Sequence, residues 1–177
     1  MSTSSRVMVF LDGSSLYWGI RNYNQQNGTD LKIDYDKLVS FAVGKRSLVR
    51  ATFYCGVPAS MTDTQANFIH YLRKSGIQVF EKEIKVREEP TGQLRAVEKG
   101  VDVSIAVDLL GMAWENAFDV AVLVSGDGDL VGAVSKVMNK GKNVEVLSFR
   151  GSCSSELSKA AIRTTYIDDI VDAIRRP

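Results

Sequence analysis

Val120-Ala121-Val122-Leu123-Val124-Ser125-Gly126-Asp127-Gly128-Asp129 is an unbroken apolar run that ends in a glycine-bearing turn with two acids, and Arg6-Val7-Met8-Val9-Phe10-Leu11-Asp12 repeats the pattern near the start. Runs of this length without polar alternation belong to parallel strands covered by helices on both faces. In an open α/β sheet, ligands bind in the crevice beyond the carboxyl ends of the strands. Three carboxylates at two such ends therefore point to a metal or phosphate site.

Outward from these two strands the chain alternates strands and helices. A helix capped by Ser14 or Ser15 runs through Leu16, Tyr17, Trp18 and Ile20 and fades by Asn27-Gly28, and a second spans Asp34 to Val43. Leu48 to Val57 reads as a strand closed by Pro58, Thr62 to Lys74 as an amphipathic helix stopped by Gly76, and Ile77 to Glu83 as a third strand. Alternation then resumes on either side of Glu88-Glu89-Pro90-Thr91-Gly92, which predicts a β-hairpin insertion near 82–97. A long helix from Gly100 to Asn116 precedes the Val120 strand; a helix at Leu130 to Asn139, a strand at Val144 to Phe149, and short helices at Ser154 to Ala161 and Asp168 to Ile174 complete the chain.

The expected fold is therefore α/β: a mainly parallel central sheet, strand order 3-2-1-4-5, flanked by helices in three layers. That order makes the strand ending at Asp12 a neighbour of the strand ending at Asp127. Asp102, in the first turn of the long helix, joins them from the side. Asp108 lies six positions on, about 120° around the helix at 3.6 residues per turn, on the stripe of Val101 and Ile105, and is expected to face the protein.

Each acid also has a plain architectural role available. Asp102 suits a helix N-terminus, Asp127 or Asp129 can cap the following helix, and Asp12-Gly13 can be an ordinary turn. Together they are harder to explain without a cation, because two unit charges about 5 Å apart at an effective dielectric of 20 repel by roughly 3 kcal/mol. Several such pairs would consume much of a domain stability of about 5–15 kcal/mol, or force protonation. All-oxygen ligation selects Mg²⁺ or Mn²⁺.

Composition excludes other chemistries. With 177 residues, 45% hydrophobic and 24% charged, one domain (1–177) with its own core is expected, and a net charge of +1 leaves any electrostatic targeting local. The apolar stretch after the polar Met1–Ser5 ends at Asp12, too soon for a secretory or membrane-spanning segment, so a cytoplasmic protein with no membrane partner is expected. Cys55 and Cys153 are far apart and fit reduced thiols. The single histidine, His70, falls on the polar side of its helix, which removes Ser-His-Asp and Cys-His hydrolysis and a His/Cys zinc site. Position 14 is serine, against the Asp-x-Asp of a phospho-aspartate phosphatase, and Leu16 stands where a von Willebrand A-type site needs its last serine.

Four segments now resemble a known family, the NYN group of PIN-like nucleases and especially its LabA-like bacterial branch. They are Phe10-Leu11-Asp12-Gly13; Lys99-Gly100-Val101-Asp102-Val103 with Asp108 downstream; Val124-Ser125-Gly126-Asp127-Gly128-Asp129-Leu130; and Gly141-Lys142-Asn143-Val144-Glu145-Val146. The resemblance implies a PIN-like sheet, metal-dependent cleavage of RNA phosphodiesters, and Asp12, Asp102, Asp127 and Asp129 as the metal-binding catalytic acids. One residue departs from it: the family often reads Asp-Gly-x-Asn at the first motif, and Ser15 holds the Asn position here.

The expected mechanism is in-line attack of water on a phosphodiester, with one or two Mg²⁺ or Mn²⁺ ions on the four acids stabilising charge on the phosphate and leaving oxygen. Ser15, Ser125 and Asp108 are expected to support the site, with Gly126 and Gly128 shaping the turn for a phosphate. Lys99, Arg95, Lys85 and Arg87, on or beside the hairpin, are candidate contacts to the RNA backbone, although five glutamates between 81 and 98 make a solvated face an equal reading. Tyr17, Trp18 and Tyr23 read either as packing residues or as base-stacking ones. The partner expected is RNA, single-stranded in preference; a homodimer is open. The contrasting reading is a catalytically weak or inactive PIN-like module that binds nucleic acid or a protein partner in a regulatory role.

Overall fold

Alternate residues of the strand Arg6–Asp12 (β1) enter two different cores: Val7, Val9 and Leu11 pack on one side of the sheet, Met8 and Phe10 on the other. Both faces are covered, which is why the run carries no polar residue before its end. Burying a side chain of this size gives about 1.5–3 kcal/mol. The computed structural model describes residues 4–88, 94–97 and 100–176, and the side chains of all of these except 85–88 and 94–97.

The chain continues through α1 (Gly13–Asn27), α2 (Tyr35–Val43), β2 (Ser47–Val57), α3 (Asp63–Lys74), β3 (Gln78–Glu83), β4 (Lys85–Glu88), β5 (Leu94–Val97) and α4 (Val101–Trp114). It then passes through β6 (Val120–Val124), α5 (Val131–Asn139), β7 (Asn143–Ser148), α6 (Ser155–Ala160), β8 (Arg163–Tyr166) and α7 (Val171–Ile174). Six strands form one sheet in the order β3-β2-β1-β6-β7-β8, every neighbouring pair parallel. The expected α/β, three-layer architecture with strand order 3-2-1-4-5 is present, extended by a sixth strand.

That sixth strand, β8, is a correction. Its Arg163-Thr164-Thr165-Tyr166 is half-exposed at the sheet edge, so it carries no apolar run for a sequence reading to find. α2 and α7 cover one face with α1 and α3, through Leu16, Leu38, Leu72 and Ile174. α4, α5 and α6 cover the other, through Ile105, Leu109, Val134 and Leu157. β4 and β5 pair antiparallel as a separate two-stranded hairpin, where the insertion was expected.

Local signals explain the helix limits. Asp34 caps α2 by accepting the Lys37 amide, Thr62 and Gln65 form a reciprocal capping box on α3, and Gly28 closes α1 in a left-handed conformation. The cap of α1 differs from expectation: Asp12, not Ser14 or Ser15, accepts the amide of Ser15.

Candidate functional site

After β1 the chain builds the β2 side of the sheet, then crosses over to β6 on the other side, so the crevice opens between β1 and β6 at their carboxyl ends. Leu11 lies opposite Val124, and the next residues, Asp12 and Ser125, emerge side by side. The Ser125 hydroxyl donates to Asp12 Oδ2 at 2.7 Å, and the Ser15 amide donates to Asp12 Oδ1 at 3.1 Å. The Asp127 amide in turn donates to Ser125 Oγ at 3.1 Å, and the Gly126 amide to Ser15 Oγ at 3.0 Å. These four bonds clamp the start of α1 to the turn after β6.

Asp12 is only 6% exposed. Burial pushes its carboxyl above the usual aspartate range; the Ser125 hydroxyl and the Ser15 amide pull it back, and the charge of Asp127 adds to the rise. No lysine, arginine or histidine among the described residues forms an ion pair with Asp12, Asp102, Asp127 or Asp129.

Asp12, Asp102 and Asp127 line one cleft of about 360 Å³, with Ser14, Ser15 and Ser152 on the same wall. Asp102 reaches it from the first turn of α4. Asp129 does not line it: the single 3₁₀ turn Gly128–Leu130 leaves Asp129 exposed, and its amide donates to Asp127 Oδ1 at 2.9 Å. Two architectural roles are thus filled by site acids, since Asp12 caps α1 and Asp127 caps the 3₁₀ turn. Among the described residues no three His, Cys, Asp or Glu side chains stand close enough together to hold a metal ion as a protein-only cage.

Mg²⁺ does not need such a cage. It is commonly bound through one or two carboxylates, with waters and substrate phosphate completing its shell. Asp12 and Asp127, both carboxylates on one cleft and with no ion-pair partner among the described residues, fit that donor set. Both oxygens of Asp12 accept hydrogen bonds that hold the carboxylate in one orientation, as a metal ligand needs.

The glycines of the turn have a different reason from the one expected. A Cβ on Gly126 would lie 2.0 Å from the carbonyl oxygen of Ser152, so glycine is required by the close pass of the protein's own backbone. Asp108 is turned to the protein, accepting the Tyr54 hydroxyl at 2.8 Å. Burial, and then the Asp108 carboxylate, raise the Tyr54 phenol well above its ordinary value. His70 is exposed on α3. Tyr23 packs on Phe149, whereas Tyr17 and Trp18 stay exposed.

Of the candidate RNA contacts, Lys85 and Arg95 lie on β4 and β5, with Lys85 in register with Val97 and Arg87 with Arg95. Their side chains, and Lys99 altogether, lie outside the described residues. Sequence reading missed Lys82, which comes off β3 and donates to the Gly100 carbonyl at 2.9 Å, pinning the start of α4 beside Asp102. It also missed Ser152. Both sit far in sequence from the acids they approach, and neither belongs to a motif.

The NYN domain profile matches residues 6–168. Over 175 residues the chain is 26% identical to LabA, the low amplitude and bright protein of Synechococcus elongatus, covering 97% of this chain and 89% of LabA. A crystal structure of a protein of unknown function from Vibrio parahaemolyticus superposes on it with a TM-score of 0.78, at 24% identity and over 99% of each chain, and so shares its fold. No helix among the described residues is long and apolar enough to cross a membrane. With its PIN-like sheet and a profile match that runs from β1 past β8, the chain belongs to the NYN domain family and is LabA-like.

Proposed function

We propose that this protein is a ribonuclease dependent on Mg²⁺ or Mn²⁺ that hydrolyses phosphodiesters of single-stranded RNA. The observation that carries the reading is the convergence of Asp12, Asp102 and Asp127 on one cleft at the switch point of the sheet, with no ion-pair partner for the buried Asp12 among the described residues. NYN membership supports it, because the PIN-like fold of this family is a nuclease fold. When bound, the divalent ion supplies positive charge that polarises a phosphoryl oxygen and acidifies water.

Asp12 and Asp127 would hold the ion, and Asp102 lines the same cleft from α4. Ser125 and the Ser15 amide keep the Asp12 carboxylate in one orientation. The 3₁₀ turn leaves Asp129 exposed and outside the cleft lining, so it would not be among the residues that hold the ion. Lys82 keeps the α4 end in place through Gly100 and so fixes where Asp102 stands.

A panel of labelled single- and double-stranded RNAs and DNAs, with and without Mn²⁺, tests this. The expected result is Mn²⁺-dependent cleavage of single-stranded RNA that Asp12→Asn abolishes. Equal residual cleavage by wild type and Asp12→Asn, or no divalent-ion binding by calorimetry at millimolar concentration, overturns it. Binding without cleavage would favour a regulatory module. The observation on that side is the lack, among the described residues, of a ready three-acid metal cage.

A further inference from the structure

A second groove, of about 450 Å³, opens on the other side of Ser14 from the acid cleft; Ser14 lines both. Its walls come from the start of α1, the carboxyl end of β2 and the face of α3, and include Tyr17, Trp18, Met61, Gln65 and Phe68. Tyr17 and Trp18 are 59% and 51% exposed, unlike Phe68, which packs edge-on against Tyr35 and Phe53. These two large rings touch each other and Arg21 but are not buried in either core, so core packing does not account for them.

The geometry points to a nucleobase pocket. Resting on the ribonuclease reading, this groove takes the base of a single-stranded RNA whose phosphate lies in the acid cleft. Positions 14, 17, 18 and 21 are three or four apart and so form one stripe along α1, and that stripe is an ordered series. At one end is Ser14, at the acid cleft; in the middle are the two rings, with centroids 5.3 Å apart and planes at 80°. At the far end Arg21 lies over the Trp18 ring at 5.2 Å, and no carboxylate among the described residues pairs with it.

This matches the charge pattern of a nucleotide chain, with a π-face for the base between two phosphates. The first phosphate meets a cation held by the acids and the next meets Arg21. Stacking on aromatic rings flanked by arginine is how single strands are held without strong sequence preference. A mainly apolar groove of this size with few polar groups suits one base. Gln65 adds one polar contact: the Thr62 amide donates to its Oε1 at 2.9 Å, so its NH₂ is what it offers a base acceptor.

Trp18 itself reports occupancy. The chain has two tryptophans, Trp18 and Trp114, so Trp114→Phe leaves Trp18 as the only tryptophan, excited selectively over the tyrosines. Titration with hexaadenylate RNA in Ca²⁺, which can occupy an oxygen-ligand site in place of Mg²⁺, should quench it saturably, and the same sugar-phosphate hexamer lacking bases should not. Tyr17→Ala should weaken hexaadenylate binding about tenfold, the loss of one stacked base. In cleavage assays Trp18→Ala should raise KM about tenfold with kcat within about twofold. Equal quenching by the baseless hexamer, or RNA binding detected by anisotropy with no change in Trp18 emission, overturns the pocket. Cleavage without quenching removes the pocket alone. Quenching without cleavage leaves the pocket and removes the ribonuclease reading.

Discussion

Asp12 and Glu145 are almost equally buried, at 6% and 7% exposure, yet the protein treats the two carboxylates in opposite ways. Glu145, on β7, receives Arg46 at 2.9 and 3.0 Å and Arg163 at 2.9 Å. Arg46 also donates to the carbonyls of Ala42 and Val43, so one ion network ties the end of α2 and the edge strand β8 to the sheet. Burial alone would push the Glu145 carboxyl up, and the two guanidiniums outweigh it and hold it below its ordinary value. Asp12 receives a hydroxyl and backbone amides and, among the described residues, no guanidinium or ammonium, and its carboxyl stays above its ordinary value. A buried charge with its partners in place is architecture; a buried charge left open to a cleft is a site.

The largest test of this contrast is Asp12→Asn. Losing a residue that would hold the ion exceeds the usual effect, about 10–100-fold, of losing one that only orients such a residue, so cleavage should fall by more than about 100-fold. In EDTA the same variant should melt higher than wild type, because it removes a buried charge that has no cation. A lower melting temperature would place Asp12 with Glu145 as a structural acid. Next in size, Glu145→Ala leaves Arg46 without its partner and should cost about 3 kcal/mol in urea denaturation. Cleavage by that variant at 25 °C should be unchanged.

Stability against pH separates the two acids by sign. Asp12 has a raised folded pKa, so its contribution is fully present below the ordinary 3.8 and is lost as pH rises through the raised value. Glu145 has a lowered one, so its contribution is present above the ordinary 4.5 and is lost as pH falls through the lowered value. In denaturation at pH values from about 3 to 7, the advantage of Asp12→Asn over wild type should grow as pH rises. The deficit of Glu145→Gln should shrink as pH falls; parallel curves would mean the two environments do not differ. The smallest effect is expected from Ser15→Ala, which removes the acceptor of the Gly126 amide. It should lower stability by about 1 kcal/mol and reduce cleavage by about tenfold by loosening the Gly126–Asp127 turn, since the Ser15 amide to Asp12 is kept.

How much was legible in the sequence follows from which forces are local. β1 and β6 were readable because strands buried on both faces must be apolar at every position. The hairpin was readable from alternation around Pro90 and Gly92, and α3 from its amphipathic pattern between Thr62 and the stop at Gly76. β8 was not, because an edge strand needs only one covered face and one partner, and Thr164 and Thr165 satisfy that without hydrophobic contrast. Asp12 and Asp127 stood out as acids at strand ends. Asp129 stood out equally, yet a three-residue turn sends it outward, a matter of backbone direction that residue type does not encode.

The chain's own order of residues determined that a parallel sheet forms, that two of its central strands end in acid, and that neither imidazole nor thiol chemistry is available beside them. These follow from burial and from side-chain inventory, which are properties of each segment. Only the tertiary structure decided which acids share a cleft, that Ser125 orients Asp12, that Lys82 pins the start of α4, and that Tyr17 and Trp18 stay in solvent next to the site. Those outcomes depend on contacts between segments tens to more than a hundred residues apart, where distance and direction are set by packing and no local pattern carries them.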